Sequence, residues 1–396
     1  MKKKIVFLTT GYFPDENPQS ILLKNIVNEL SKKKNLSLTL FTNQKKPFKH
    51  NKVKYEIYNL SHSYIWNILE KIIFFSSFSF VKFKYSKLIN RICDYIETNN
   101  IQTIISFSNP YILNVIAYYV IQKKKINFFS NYSDPIFKTG YRKYLPFTFR
   151  EKSIKKIEKK ILESSNKIIF NNKFLAKFVL QNQNIKEKKN IKIIPHSYNE
   201  TDFKLCFKRK LKHDKILVSY FGALNRIRNP LSFLDKIILL KEENRYLNFV
   251  FEFYGMRDAY INRIIKRKKM LFKKNNIFFY NKLSYFKSIN EMFKKDILLS
   301  IDSLDIENVY LTTKIVQYLP LKKIVLNISK ENSPTSDLAN KNNFINIKNF
   351  EKLHISNQLN KLEKRYKKFR YNQSELDYYN SKNISKLWFK TINEIR

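Results

Sequence analysis

The stretch Lys215–Leu231, KILVSYFGALNRIRNPL, decides the fold class of this chain. Ile216 to Phe221 is a short apolar run rich in β-branched and aromatic residues, bounded by Asp214-Lys215 and by Gly222, and it predicts a buried strand. After the glycine come Arg226 and Arg228, then Asn229-Pro230 and the periodic apolar residues Leu231, Phe233, Leu234, Ile237 and Ile238. That is the pattern of a helix opening just past a turn. Strand, glycine turn, guanidinium groups and a helix amino end together make a site for a phosphate or diphosphate. The glycine lets backbone approach the anion, free N–H groups face it, and each arginine adds a charge-assisted hydrogen bond of about 1.5–3 kcal/mol.

Glycine usage reinforces the pattern. The chain has four glycines in 396 residues, against an ordinary usage of about 7%. Three of them close an apolar strand: Gly11 after KKIVFLTT, Gly222 after ILVSYF and Gly255 after NFVFEFY. Each either marks a place where backbone needs a missing side chain or simply turns a corner between strand and helix.

On both sides of Gly222 the same alternation continues. Towards the amino terminus, Ile5 to Thr9 is followed by a helix from about Ser20, with Ile21, Leu22, Ile26, Val27 and Leu30 on one face, and then by the strand Leu36 to Thr42. Further strands are expected at Thr103 to Phe107, Ile126 to Phe129, Lys167 to Phe170 and Ile191 to Pro195, and they end in the loops SNP, SNYSDP, NNK and HSYN. Beyond the midpoint, strands are expected at Phe249 to Tyr254, Asn276 to Tyr280 and Asp296 to Ile301. A loop, a short helix carrying Lys314, Gln317 and Tyr318, and one more buried strand then follow within Tyr310 to Val325. Strand–helix–strand order of this kind builds a parallel sheet whose ligands sit at the carboxyl edge. The length suits two α/β domains, and 43% hydrophobic residues supply two cores.

The formal charge of +44 points to an anionic partner, either nucleic acid or an acidic lipid surface. The lysines are, however, spread along the whole chain beside an excess of Asn, Ile, Phe and Tyr, the signature of an AT-biased coding sequence, which accounts for part of the excess. The two cysteines, Cys93 and Cys206, have no paired spacing, and the histidines have no metal-ligand spacing. The opening MKKKIVFLTTGYFPDENP reads as a first strand and not a signal peptide, since its apolar core is short and Pro14, Asp15 and Glu16 follow at once. Between Ser63 and Phe83 the most apolar stretch of the chain is interrupted by Glu70, Lys71 and Lys82, too much to span a bilayer. It reads either as a buried helix or as one lying in a membrane interface through Trp66, Phe74 and Phe75.

Taken together, the strand-Gly-Tyr-Phe-Pro opening, IIPHSYNETDF, FGALNRIRNP, EFYGM, YFKSINEMFKKDILLSID from Tyr285 to Asp302, and KIVQYLPLKKIVL resemble the retaining glycosyltransferases of family 4. The resemblance spans nearly the whole chain; it is clearest from Ile193 to Leu326 and weak between Asn43 and Asn100. It implies a GT-B fold of two Rossmann-like domains facing a cleft: an acceptor domain at 1–198, a nucleotide-sugar domain at 199–378, and a final helix at 379–396 returning to the first. It implies an enzyme of bacterial surface polysaccharide synthesis, such as capsule or lipopolysaccharide. Such an enzyme takes a nucleotide-sugar donor and a lipid-linked or oligosaccharide acceptor, and is cytoplasmic and peripheral on the anionic inner membrane face. No cofactor and no metal are expected, the nucleotide sugar being a co-substrate. No Asp-x-Asp pair occurs; Ser303 and Leu304 separate Asp302 from Asp305.

The resemblance also assigns residues. Gly222, Arg226, Arg228, Gly255, Lys282, Thr313, Lys314 and Gln317 fall on the donor side, with Arg228 and Lys314 neutralising the leaving diphosphate. Gly11, Tyr12 and His196 fall on the acceptor side, and Asp134 in YSDP orients or deprotonates the acceptor hydroxyl, unless it is an ordinary Asp-Pro turn. The chain departs from the family where two glutamates usually stand eight positions apart: Val309 and Gln317 occupy those places, and Glu307 is offset from the first. This leaves open a lapsed enzyme. The charge and the aromatic content leave open a single-strand nucleic-acid binder, and the shared architecture leaves open a nucleotide-sugar epimerase.

Overall fold

The computed structural model describes residues 2–47, 51–59, 78–108, 110–138, 149–186, 190–205, 214–302 and 308–394. Trp66, Phe74, Phe75 and Glu307 lie outside them, and so does the expected interfacial stretch up to residue 77; its end falls in the helix Phe78–Lys84. The chain divides into two compact units, one of 1–196 with 381–396 and one of 197–380. The junctions lie two residues from each expected boundary.

The first unit is built on seven strands, β1 (Lys3–Thr9), β2 (Leu36–Thr42), β3 (Val53–Ile57), β4 (Thr103–Phe107), β5 (Asn127–Tyr132), β6 (Lys167–Phe170) and β7 (Ile191–Ile193). All pair in parallel in the order β3-β2-β1-β4-β5-β6-β7. Parallel neighbours need a crossover, and helices supply it, so the central strands are covered on both faces and read as unbroken apolar runs. β4, TIISF, is buried at every position. β3, VKYEI, is the edge strand and carries Lys54 and Glu56 on its open side. The helix Ser381–Asn393 belongs to this unit: Ile384, Trp388 and Ile392 are buried with Phe7, Leu23, Val27 and Phe107. Its indole lies 5.9 Å from the Phe107 ring, and truncating so buried a Trp costs about 3–5 kcal/mol.

The second unit holds β8 (Ile216–Phe221), β9 (Phe249–Tyr254), β10 (Ile277–Tyr280), β11 (Ile297–Ile301), β12 (Val325–Ile328) and β13 (Ile345–Ile347), all parallel, in the order β10-β9-β8-β11-β12-β13. In both sheets the chain runs outward in one direction, returns to the middle and runs outward in the other. The reversal falls between β1 and β4 in the first sheet and between β8 and β11 in the second. At such a reversal the crossovers leave to opposite faces and open a crevice outside the strands' carboxyl ends, where ligands bind. Gly222 and Gly11 stand at those two places. Among the described residues no helix is long and apolar enough to cross a membrane.

Candidate functional site

In the second unit the loops after β8 and β9 are zipped together. Gly222 N–H donates to Tyr254 O at 2.9 Å, Leu224 N–H to Met256 O at 2.9 Å, and Asp258 N–H to Leu224 O at 3.1 Å. A Cβ on Gly255 would lie 1.8 Å from the Gly222 carbonyl oxygen, so this pairing requires a glycine there. The loop that follows is folded by its own side chains. Asn225 Oδ1 accepts from the N–H groups of Ile227 (3.0 Å) and Arg228 (2.8 Å), Asp258 Oδ2 from Arg226 N–H (3.1 Å), and Asn229 Oδ1 from Leu231 N–H (3.0 Å). This corrects one expectation. The N–H groups expected to face an anion are largely engaged inside the loop, so binding charge here comes from side chains.

Those side chains converge from three crossovers. Arg228 lies on the loop after β8, Lys282 on the loop after β10, and Lys314 on the helix Thr313–Tyr318 that follows β11. Burial, then the ammonium of Lys282 and the guanidinium of Arg228, push the Lys314 pKa down to about 8. Burial and two neighbouring like charges thus both disfavour the charged form of this lysine. Gln317, buried on the same helix, accepts from Lys314 Nζ at 3.4 Å, and Thr313 is half-buried one residue before the lysine. Arg226 goes elsewhere: its guanidinium stacks 5.2 Å over the exposed Tyr260 ring. Of the two arginines, Arg228 is therefore the one placed with the lysines.

Tyr318 was read from the sequence only as a residue of the short helix. Its hydroxyl donates to Leu299 O at 3.2 Å and accepts from Phe221 N–H at 3.2 Å. The β8–β11 ladder ends at Tyr220 and Leu299, so one side chain fills the next rung where the strands part. This ties the Lys314 helix to the ends of both strands. Beneath, Phe221, Tyr254 and Tyr280 stack in register across β8, β9 and β10 at centroid distances of 4.8 and 4.7 Å. The buried Lys295 pairs with Glu252 at 2.8 Å and Glu291 at 2.7 Å and donates to Tyr254 Oη at 3.1 Å, while Ser219 Oγ donates to Glu252 at 2.8 Å. The ring stack and this ion-pair network are thus joined through Tyr254 on the same sheet.

The carboxyl edge of the first sheet has a different chemistry. Gly11 lies in the turn after β1, where a Cβ would meet Ser20 Oγ at 2.4 Å. Tyr12 was expected to meet an acceptor, but it is only 1% exposed, in the core with Phe7 and Leu23 and 6.0 Å from Tyr55. It is a packing residue. Asp134 is half-buried on the loop after β5. That loop is held by the buried Glu158, which accepts from Ile136 N–H at 2.8 Å, from Phe137 N–H at 3.4 Å and from Gln183 Nε2 at 2.7 Å. Sequence reading missed Glu158, which looks like one more charge on a lysine-rich helix; its apolar neighbours Ile154, Ile157 and Ile161 are the available signal. His196 follows β7, half-buried, with Nε2 at 3.0 Å from Asn171 Nδ2. Burial lowers its pKa to about 4.

Asp302, at the end of β11, accepts from Thr335 Oγ1 at 2.8 Å. Among the described residues no group of three or more His, Cys, Asp or Glu side chains is placed to hold a metal ion.

No family model and no curated protein sequence matches the chain. Solved structures do. Sucrose-phosphate synthase from Thermosynechococcus elongatus has a TM-score of 0.76 at 11% identity, over 100% of this chain and 99% of that one. HepE from Anabaena, in complex with UDP and glucose, has a TM-score of 0.69 at 11% identity over 99% and 100%. The lipopolysaccharide outer core galactosyltransferase WaaB in its apo form has a TM-score of 0.67 at 11% identity over 99% of each. At such identities the likeness is one of fold, and with two Rossmann-like parallel sheets of seven and six strands the fold of this chain is GT-B.

Proposed function

We propose that this chain transfers a sugar from a nucleoside diphosphate to a glycan acceptor, with retention and without a metal, as a family 4 glycosyltransferase of bacterial surface polysaccharide synthesis. The observation that carries the reading is the meeting of Arg228, Lys282 and Lys314 at the chain reversal of the six-stranded sheet. As a glycosidic bond to a diphosphate breaks, negative charge grows on the leaving oxygens. Cations gathered there stabilise that change more than they stabilise the intact donor. Gln317 exchanges neutral hydrogen bonds with the ribose diol. The complexes of the GT-B neighbour HepE with UDP, glucose and UDP-glucose support a nucleotide-sugar donor.

The acceptor is held by the seven-stranded unit, near Gly11, Asp134 and His196, and it is lipid-linked or an oligosaccharide. The enzyme works in the cytoplasm, peripheral to the anionic inner membrane face, to which its +44 charge draws it. The test is a thermal-shift panel of UDP-, GDP- and dTDP-sugars followed by turnover of whichever stabilises the chain. The expected result is stabilisation by at least one and release of its nucleoside diphosphate. Stabilisation by single-stranded RNA alone, or conversion of the sugar nucleotide to an epimer without an acceptor, would replace this reading.

A further inference from the structure

The loop after β6 carries Asn171 and Asn172, and the hydrogen bonds that run through them have a fixed direction. Asn172 caps the helix Lys173–Asn182: its Oδ1 accepts from Leu175 N–H at 2.8 Å. A backbone N–H can only donate, so the other end of that amide must be the donor, and Asn172 Nδ2 donates to Asn171 Oδ1 at 2.7 Å. Asn171 is thereby oriented as well, and a second neighbour agrees: its Nδ2 donates to the carbonyl of Ser133 at 3.1 Å. Turning the Asn171 amide over would set oxygen against that carbonyl and NH2 against NH2 at Asn172. Its remaining N–H points at His196 Nε2, 3.0 Å away.

An imidazole nitrogen that receives a hydrogen bond carries no proton of its own, so in the neutral ring the proton is on Nδ1. The ring is neutral: burial favours the uncharged form, and no charged group is among the causes of its shift. Among the described residues no protein group accepts from Nδ1. His196 therefore has no basic nitrogen to offer and one N–H that always donates.

We propose that Asn171 is a positioning residue that locks His196 as the Nδ1-protonated neutral tautomer, making it a permanent hydrogen-bond donor to a sugar hydroxyl oxygen at the carboxyl edge of the seven-stranded sheet. The assignment of the sugar rests on the transferase reading; the tautomer does not. It also excludes His196 as a general base, since the nitrogen that a base would use is occupied.

The test is the two-bond 1H–15N correlation spectrum of the full chain with 15N-labelled histidine, in which His196 is assigned by the loss of its signals in His196→Gln. The expected pattern is the Nδ1-protonated neutral ring, unchanged from about pH 6 to about pH 8. Asn171→Asp keeps the side-chain shape and replaces the donor with acceptors, so the ring is expected to become protonated at Nε2. A ring already protonated at Nε2 in the unaltered chain would overturn the proposal. Glucose, galactose and N-acetylglucosamine are then titrated with and without UDP. At least one is expected to move the His196 signals, with an affinity weakened about three- to tenfold by Asn171→Ala. Sugars that leave His196 unmoved, or that bind Asn171→Ala as well as the unaltered chain, overturn the donor role. Failure of UDP to bind counts against the transferase reading alone.

Discussion

At the carboxyl edge of β8 and β11, burial and the nearby charges of Lys282 and Arg228 push the Lys314 pKa down to about 8. At the carboxyl edge of β5, β6 and β7, the loops offer amides, a backbone carbonyl and an uncharged imidazole beside the one carboxylate of Asp134. The two sheets share a strand order about their reversal points, so topology alone does not set this difference. What sets it is which side chains the crossovers carry. On the proposed function, the charged ligand belongs to one unit and a hydroxyl-bearing one to the other, which is the division that transfer from a diphosphate to a glycan requires.

The largest effect should come from breaking the buried charge network of the six-stranded unit. Lys295→Ala leaves the buried Glu252 without its ammonium partner and the half-buried Glu291 with Lys294 alone, and about 3–5 kcal/mol of stability is expected to go, read by chemical denaturation. Next, Arg228→Ala and Lys314→Ala should each weaken nucleoside-diphosphate binding about 10- to 100-fold, from about 1.5–3 kcal/mol per charge-assisted contact. Asn171→Ala, at the carboxyl edge of the seven-stranded sheet, should leave that affinity unchanged in the same titration. A loss in all three would erase the contrast between the units. Tyr318→Phe removes the hydroxyl that joins Phe221 to Leu299 and should cost about 1–3 kcal/mol of stability in denaturant. With the Lys314 helix loosened, diphosphate affinity should fall as well.

The smallest effect is in pH, and its sign is specific. Lys314 titrates near 8 in the folded chain and at about 10.4 when unfolded. Between those values the unfolded state holds the extra proton, so the stability of the free protein should gain from this group as pH rises through the window. A diphosphate favours the protonated lysine, so its affinity should fall over the same window. Melting curves with and without UDP at about pH 7 and about pH 9 should therefore show a smaller ligand-induced shift at the higher pH.

Most of the fold was legible because central parallel strands are buried on both faces and read as uninterrupted apolar runs. β3 and β13 were not. β3 alternates charge because it is an edge, and β13 has only three residues. β5 runs on to Tyr132, past the expected end at Phe129, because Ser130 and Asn131 look like loop residues although both are buried. At the site, the glycines and the individual cations were visible. That Arg228 and not Arg226 joins the lysines was not, since a stacking partner such as Tyr260 cannot be read from spacing. Tyr12 misled for the opposite reason: a tyrosine after a strand-ending glycine suits a ligand loop, but the turn folds it into the core. The direction of the Asn172–Asn171–His196 hydrogen bonds depends on loops after two different strands and appears only once the sheet brings them together.

The central claim is tested most directly by isothermal titration of UDP, GDP and dTDP into the unaltered chain and into Arg228→Ala. The account predicts that at least one diphosphate binds the unaltered chain and that its affinity drops about 10- to 100-fold in the variant, with the melting temperature of the free protein preserved. Equal affinity for both chains, or no binding of any of the three to the unaltered one, would contradict it.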